Sequence, residues 1–407
     1  MVIEQVIEHV QRERRHGAAV IARPRPVVIA AAGVAVAAAI GACAPTREAD
    51  RVAGERPHRE PPSAALFTAE GGPVTPGEPP GGLSGTSPGD CSGCHAEIAA
   101  EWASSAHARS WTDPIFQAEY RLTGQAFCRH CHAPLALDAA GPGAASELAG
   151  AAGGRGIDCA VCHVRDGHVL GAHGRGGDDH AVRTDARLAT TALCAGCHQF
   201  DFPRPAPGER ARYHPGRPLQ NTVAEWSQSR YADRPCQGCH MAITGDPARP
   251  HRSHAFGIFD DPALLARAVR VTAHARRRAG GVRVTVEIAP GEIGHAFPTG
   301  DLFRRAVLTV RAGTARRSEL LMRRFAQTIT DDGSGHLLGQ VDDARIPPPG
   351  AGPPARLELD LPDARATDVA WSLMLFRMAP DDARDRGLDG AAIGQRIGSG
   401  RIAIAAP

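Results

Sequence analysis

The feature that most constrains this chain is a five-residue unit, Cys-x-x-Cys-His, that returns five times at short intervals. The copies are Cys91-Ser-Gly-Cys94-His95, Cys128-Arg-His-Cys131-His132, Cys159-Ala-Val-Cys162-His163, Cys194-Ala-Gly-Cys197-His198 and Cys236-Gln-Gly-Cys239-His240. Two thiols at this spacing reach the two vinyl groups of one porphyrin, and the adjacent imidazole falls on its iron. Zinc knuckles and thioredoxin-like motifs share the Cys-x-x-Cys spacing, but the histidine that follows every pair separates the readings. Chance would place it five times with a probability of about 10⁻⁷ for a chain of this histidine content. Ten of the eleven cysteines are used in this way, leaving only Cys43. The sequence therefore predicts five covalently attached haem c groups, with proximal iron ligands His95, His132, His163, His198 and His240.

The motifs begin 37, 31, 35 and 42 residues apart, which leaves too little chain per haem for a large core of its own. Aromatic residues make up only 4% of the chain, so flat apolar porphyrins are expected to do the packing. The polypeptide carries a formal charge of +2, and the haem propionates turn the holoprotein acidic, which argues against a nucleic-acid partner. There is no lysine anywhere in the chain, which excludes lysine bases and lysine-ligated haems.

Residues 1–26 are basic, with Arg12, Arg14, Arg15, Arg23 and Arg25, and precede an apolar run over 27–42. That run is short for a membrane span and suits a signal peptide. It closes on Ile40-Gly41-Ala42-Cys43, which resembles a bacterial lipobox, so 1–42 is expected to be a lipoprotein-type signal peptide and Cys43 the site of lipid attachment; the alternative is an uncleaved helical anchor. Export is what covalent haem attachment needs, and the expected location is the bacterial periplasm or cell surface, tethered to a membrane. Residues 43–89 hold nine prolines and eight glycines, a composition that reads as a disordered tether.

In the haem region, 90–262, the second axial ligand decides what each iron can do. Met241 follows proximal His240 directly and cannot cross to the opposite face of that haem, whereas histidine is plentiful: His107, His130, His168, His173, His180, His214, His251 and His254, with His274, His295 and His336 further on. Bis-histidine ligation and low potentials are the expectation. His107 lies far enough beyond Cys91 on a helix-compatible stretch to point at a neighbouring haem, while His130, inside a motif, is constrained by its own.

These residues resemble a family, the exported multihaem cytochromes c related to the nitrifier tetrahaem cytochrome that accepts electrons from hydroxylamine oxidoreductase. The resemblance is carried by Glu101-Trp102-x-x-Ser105-x-His107-Ala108, Thr112-Asp113-Pro114-Ile115-Phe116, Cys128-x-x-Cys-His132-Ala133-Pro134-Leu135 and Gly156-Ile-Asp-Cys159. It continues through Cys194-Ala-Gly-Cys-His198-Gln199, Gln220-Asn221-Thr222-x-x-Glu225-Trp226, Cys236-Gln-Gly-Cys-His240-Met241 and Gly294-His295-x-Phe297-Pro298-Thr299-Gly300. It implies closely stacked haem pairs and distal ligands at His107, His180, His254 and His295, with His251, His173 or His214 contending for a fifth. Without a fifth, one haem is open to nitrite, hydroxylamine, NO or peroxide. The five motifs depart from the tetrahaem number.

After about residue 262 the pattern changes. Val282, Val284, Val286 and Ile288 alternate with polar residues, the period of a half-buried strand, and further strands are expected at 305–311, 356–361 and 369–378, after a connecting helix over 262–275. The fold class expected is a mainly α and irregular multihaem cytochrome c domain followed, over 263–407, by a small antiparallel β-sandwich-like domain. His295 sits in a turn there; it either folds back to ligate a haem, joining the two regions, or is a buried loop histidine. The function expected is electron transfer with redox partner proteins, either other cytochromes or membrane quinol-linked complexes. The alternative is an oxidoreductase acting on a small nitrogen or oxygen species at one open haem, and a third reading is an interaction module docking through the β domain.

Overall fold

A computed structural model of the chain describes residues 67–68, 72–73, 78–123, 126–136, 156–173, 180–204, 212–329, 336–388 and 393–406. The expected signal peptide, Cys43 and most of the expected tether lie outside these residues. The tether reading does not extend to its end: Pro80 is buried, and Ser87 and Asp90 form a capping box at the start of helix α1 (Pro88–Ser92), with Pro88 in the first turn. Ser87 N–H donates to Asp90 Oδ2 at 2.8 Å, which satisfies a donor that a helix start otherwise leaves open.

Short helices carry the motifs. After α1 come α2 (Ala96–Ser104), α3 (Pro114–Thr123), α4 (Arg129–His132), α5 (Cys159–His163), α6 (Ala192–His198), α7 (Thr222–Ser227) and α8 (Gln237–His240). Each is too short to be stable by itself, and side-chain caps from Ser87, Asp113 and Asp158 hold α1, α3 and α5. In α5, Asp158 accepts from Ala160 N and Val161 N, at 3.0 and 3.4 Å. At its other end the buried Arg165 guanidinium donates to the carbonyls of Ala160, Val161 and Val164. Two-stranded ribbons and one three-stranded sheet fill the gaps between helices.

Helix α9 (Pro262–Ala268) leads into the second region. The connecting helix expected over 262–275 stops at Ala268, because strand β1 (Val269–Arg278) follows and pairs along its whole length with β2 (Gly281–Pro290). Next come β3 (Arg305–Ala312), β4 (Ala315–Leu321), β5 (Arg323–Ile329), β6 (His336–Asp343), β7 (Ala355–Leu361), β8 (Asp368–Phe376), helix α10 (Pro380–Asp385) and β9 (Gly394–Ala405).

Seven of these strands form one sheet in the order β4-β3-β8-β9-β1-β2-β7. The expected sandwich is thus a single sheet, curled so far that its edge strands β4 and β7 meet. The physical reason is twist, which coils a sheet of this width, together with one long-range pairing: β9 lies parallel to β1 (Ala275 opposite Ile404), while every other pair in the sheet is antiparallel. Val282, Val284, Val286 and Ile288 of β2 are fully buried on the concave side with Leu308, Val310 and Leu373. Each such side chain contributes about 1.5–3 kcal/mol.

The sheet packs on the haem region. Ile115 of α3 is buried with Met378 and Ile393, Arg377 pairs with Asp113 at 2.9 Å, and Arg386 pairs with Glu119. The β5–β6 hairpin stands outside the large sheet. Its Phe325 meets Phe202 edge-on at 5.5 Å, and Arg323 donates to the carbonyls of Pro218 and Gly300. Among the described residues no helix is long and apolar enough to cross a membrane.

Candidate functional site

A single cavity of about 2210 Å³ runs through the first region and against the sheet, more than twice the roughly 1,000 Å³ at the upper end of one small-molecule site. All five motifs line it, as do His107, His180, His254 and His295. The ten motif cysteines, Cys91, Cys94, Cys128, Cys131, Cys159, Cys162, Cys194, Cys197, Cys236 and Cys239, form no disulfides. Thiols of different motifs lie side by side: Cys91 beside Cys159, Cys131 beside Cys197, and Cys194 beside Cys236.

The histidines fall into pairs. His95 faces His180 with ring centroids 6.3 Å apart, His198 faces His107 at 6.5 Å, His163 faces His254 at 6.2 Å, and His240 faces His295 at 6.3 Å. Each pair joins one motif histidine to one from a distant part of the chain. The distances have a simple meaning: with a metal–imidazole bond of about 2 Å and a ring centroid roughly 1.1 Å further on, two axial imidazoles have centroids roughly 6.3 Å apart. The four pairs leave room for one iron each. Their ring planes differ, from near-parallel in His240–His295 (9°) to tilted by 39° in His163–His254, 43° in His107–His198 and 53° in His95–His180.

Hydrogen bonds aim several of these rings. The Nδ1 atoms of His132, His163, His254 and His295 lie 2.8–2.9 Å from the carbonyls of Ser110, Leu170, Arg252 and Ala296, which leaves Nε2 turned toward the cavity. The Nδ1 atoms of His180 and His240 are buried with no hydrogen-bond partner. Burial pushes His107 down to about 3 and His198, His240 and His254 to about 4, so all are neutral imidazoles, the form that binds a metal. The donor set fits haem c: paired thiols beside a histidine, a wide apolar cavity, and a second imidazole across it.

His132 differs. Its ring stacks on Phe116 at 3.8 Å and 9°, and among the described residues no second histidine faces it as in the other four motifs. None of the three contenders makes a ring pair with it: His173 lines the cavity but is exposed, His214 is half-buried outside the lining, and His251 Nε2 sits 3.3 Å from Glu101 Oε1. Phe116, Trp111 and Tyr120 form an aromatic cluster on the same side.

His295 is held by a network that sequence reasoning did not find. Its loop carries a cis Phe297–Pro298 bond and is bridged to Ile346 through two backbone hydrogen bonds of 2.8 and 2.9 Å. Glu225 of α7 accepts from Thr299 Oγ1 at 2.7 Å and from Ala296 N at 3.3 Å. Arg345 pairs with Glu225 at 2.8 Å, both side chains only 6% exposed, and also with Asp343. In a chain this rich in arginine nothing local marks Arg345.

Residues 90–164 match the family described as cytochrome c554 and c-prime. The fold is similar to the crystal structure of a penta-heme cytochrome c552 from Thermochromatium tepidum, with a TM-score of 0.58 and 20% identity over 77% of this chain and 97% of that one. No curated protein matches by sequence. The chain has a multihaem cytochrome c fold, a helical haem region followed by a large β-rich region.

Proposed function

We propose that the chain is a five-haem c-type cytochrome that carries electrons, four of its haems held between two histidines and the fifth bound by His132 alone. The observation that carries this is the set of four histidine pairs at 6.2–6.5 Å, each combining a motif histidine with one from elsewhere in the chain. Each bound haem supplies one-electron cycling between Fe(III) and Fe(II). The chain's residues supply the rest. Thioethers from ten cysteines fix the positions, imidazole pairs without methionine favour low potentials, and neighbouring thiols from different motifs keep successive cofactors close.

In this reading Cys43 bears a lipid that tethers the protein to a membrane outside the cytoplasm, and the partners are other cytochromes or quinol-linked membrane complexes. The test combines intact mass with ferric electron paramagnetic resonance. Five haems, four low-spin signals and one high-spin signal are expected; fewer than five haems, or no low-spin iron, sinks the reading.

The environment of His132 supports a second reading, in which the chain reduces or oxidises a small nitrogen or oxygen species at the haem of the second motif. Phe116 and Ser110 fix the imidazole on one side, and no described histidine takes the opposite one. Under this reading the high-spin signal shifts on adding nitrite or hydroxylamine and turnover follows with dithionite as reductant. An unchanged signal and no turnover leave the electron carrier alone.

A further inference from the structure

The chain uses one short device twice. Residues 101–105 and 225–229 both read Glu-Trp-x-x-Ser, and both end a helix in the same way. Ser105 N–H donates to Trp102 O at 2.8 Å and Ser229 N–H to Trp226 O at 2.9 Å. Each serine is 1% exposed, and each hydroxyl accepts a 3.1 Å bond from a backbone N–H just beyond it, from Ala108 and Tyr231.

What the two side chains before the serine reach is also the same. Trp102 Nε1 donates to Ile157 O at 2.8 Å, and Trp226 Nε1 to Arg234 O at 2.9 Å. Ile157 stands two residues before Cys159 and Arg234 two residues before Cys236, so each indole grips the entry to one attachment motif. The glutamates reach the other way. Glu101 Oε2 accepts from the backbone N–H of His254 at 2.8 Å, and Glu225 Oε2 accepts from that of Ala296, next to His295, at 3.3 Å. His254 is the partner of His163, in the motif that Trp102 grips. His295 is the partner of His240, in the motif that Trp226 grips. Neighbouring residues on a helix point about 100° apart, which lets two adjacent side chains reach two walls of one cavity.

We propose that Glu101-Trp102 and Glu225-Trp226 are positioning pairs, each dipeptide holding both the proximal and the distal histidine of one haem at their working separation. Glu101-Trp102 sets His163 against His254; Glu225-Trp226 sets His240 against His295. This rests on the haem-ligation reading above. The other two tryptophans serve differently: Trp111 packs on Phe116 and Tyr120, and Trp371 lies against Gly398 and Gly400 of the sheet. A bond to a carboxylate is about twice as strong as one between neutral groups, which suits an anchor for a loop arriving from 153 or 71 residues away.

The test uses the haem-loaded protein and reads the near-parallel pair separately from the tilted ones. Near-parallel imidazoles (9°, His240–His295) and tilted ones (39°, His163–His254) give ferric low-spin signals of different rhombicity, so the two haems are distinguishable. Glu225→Ala and Trp226→Phe are expected to shift or abolish the near-parallel signal alone, and Glu101→Ala and Trp102→Phe to spare that signal and remove or shift one of the three tilted ones. Glu101→Gln, which keeps a carbonyl acceptor, restores the wild-type spectrum. Glu225→Gln restores it only in part, because it loses the charge facing Arg345. Where an alanine variant binds fewer than five haems by mass, the phenylalanine variants decide. Unshifted signals in both five-haem phenylalanine variants, or a variant that disturbs the other pair's signal equally, overturn the proposal. A wild-type spectrum without four low-spin signals instead overturns the ligation reading beneath it.

Discussion

In the proposed reading, replacing Gly156 with alanine should pull His107 away from its pairing with His198 and so from the haem between them. Gly156 has φ +58°, and a Cβ there would lie 2.5 Å from the carbonyl oxygen of His107, 2.6 Å from that of Ala108 and 2.8 Å from Ser110 Oγ. The serine can rotate away, but the carbonyls belong to the backbone, and Ile157 N–H holds that of His107 at 3.0 Å. Ordinary contact begins at 3.4 Å, so the His107 backbone must retreat by roughly 0.9 Å, against a tolerance of about 0.2 Å for a metal–ligand bond. A non-glycine residue at positive φ costs about 1–2 kcal/mol and overpacking about 1–3 kcal/mol, giving about 2–5 kcal/mol in all. Urea unfolding of the haem-loaded protein measures this, and ferric resonance spectra report whether the His107–His198 iron loses its low-spin signal. Gly280→Ala is the control: φ is +77°, nothing lies within 4 Å of its Cβ, and it sits in the turn between β1 and β2. It should cost about 1–2 kcal/mol and leave the spectrum alone. Equal destabilisation with unchanged spectra in both variants would falsify the reasoning.

Arg345→Met leaves Glu225 charged and buried without its partner, which should cost about 3–5 kcal/mol and loosen His295; calorimetry showing a loss below about 1 kcal/mol would mean water reaches the pair. Acid should act in one direction. His107, His198, His240 and His254 are held below the usual 6.5 by burial, at about 3 to 4, so below pH 6.5 the unfolded chain takes up protons that the folded chain refuses. Their contribution is complete above pH 6.5 and falls as pH drops toward 4, and coordination to iron acts in the same sense. The urea midpoint should therefore fall between pH 7 and pH 5, and a constant or rising midpoint would count against neutral, buried imidazoles.

The attachment sites were legible because their chemistry is local: five residues carry both thiols and the proximal imidazole. The opposite faces were not, since no spacing rule joins His254 to His163 or His295 to His240; those positions came from resemblance, and the ring pairs appear only in three dimensions. His251 illustrates the gap: its Nε2 lies 3.3 Å from a carboxylate 150 residues away, Glu101, which no spacing announces. In the β region the alternation of Val282 to Ile288 locates a strand, whereas 262–275 reads as one connecting helix. Val269, Val271, Ala273 and Ala275 also alternate, and pairing with β2 outweighs helix propensity there. The single curled sheet depends on β9 reaching back beside β1, a contact between residues 275 and 404 that no local window contains.

The loop of His295 also has a place in time. A chain is made from its N-terminus, and the loop's bridge to Ile346, its anchor through Arg345 and the sheet's closing strand β9 all come from chain made later. In the proposed reading His240 must therefore wait for its partner, while His95, His163 and His198 meet theirs within the first 254 residues. In that reading a chain ending before residue 345 would keep three of its histidine pairs and lack the anchors of the fourth.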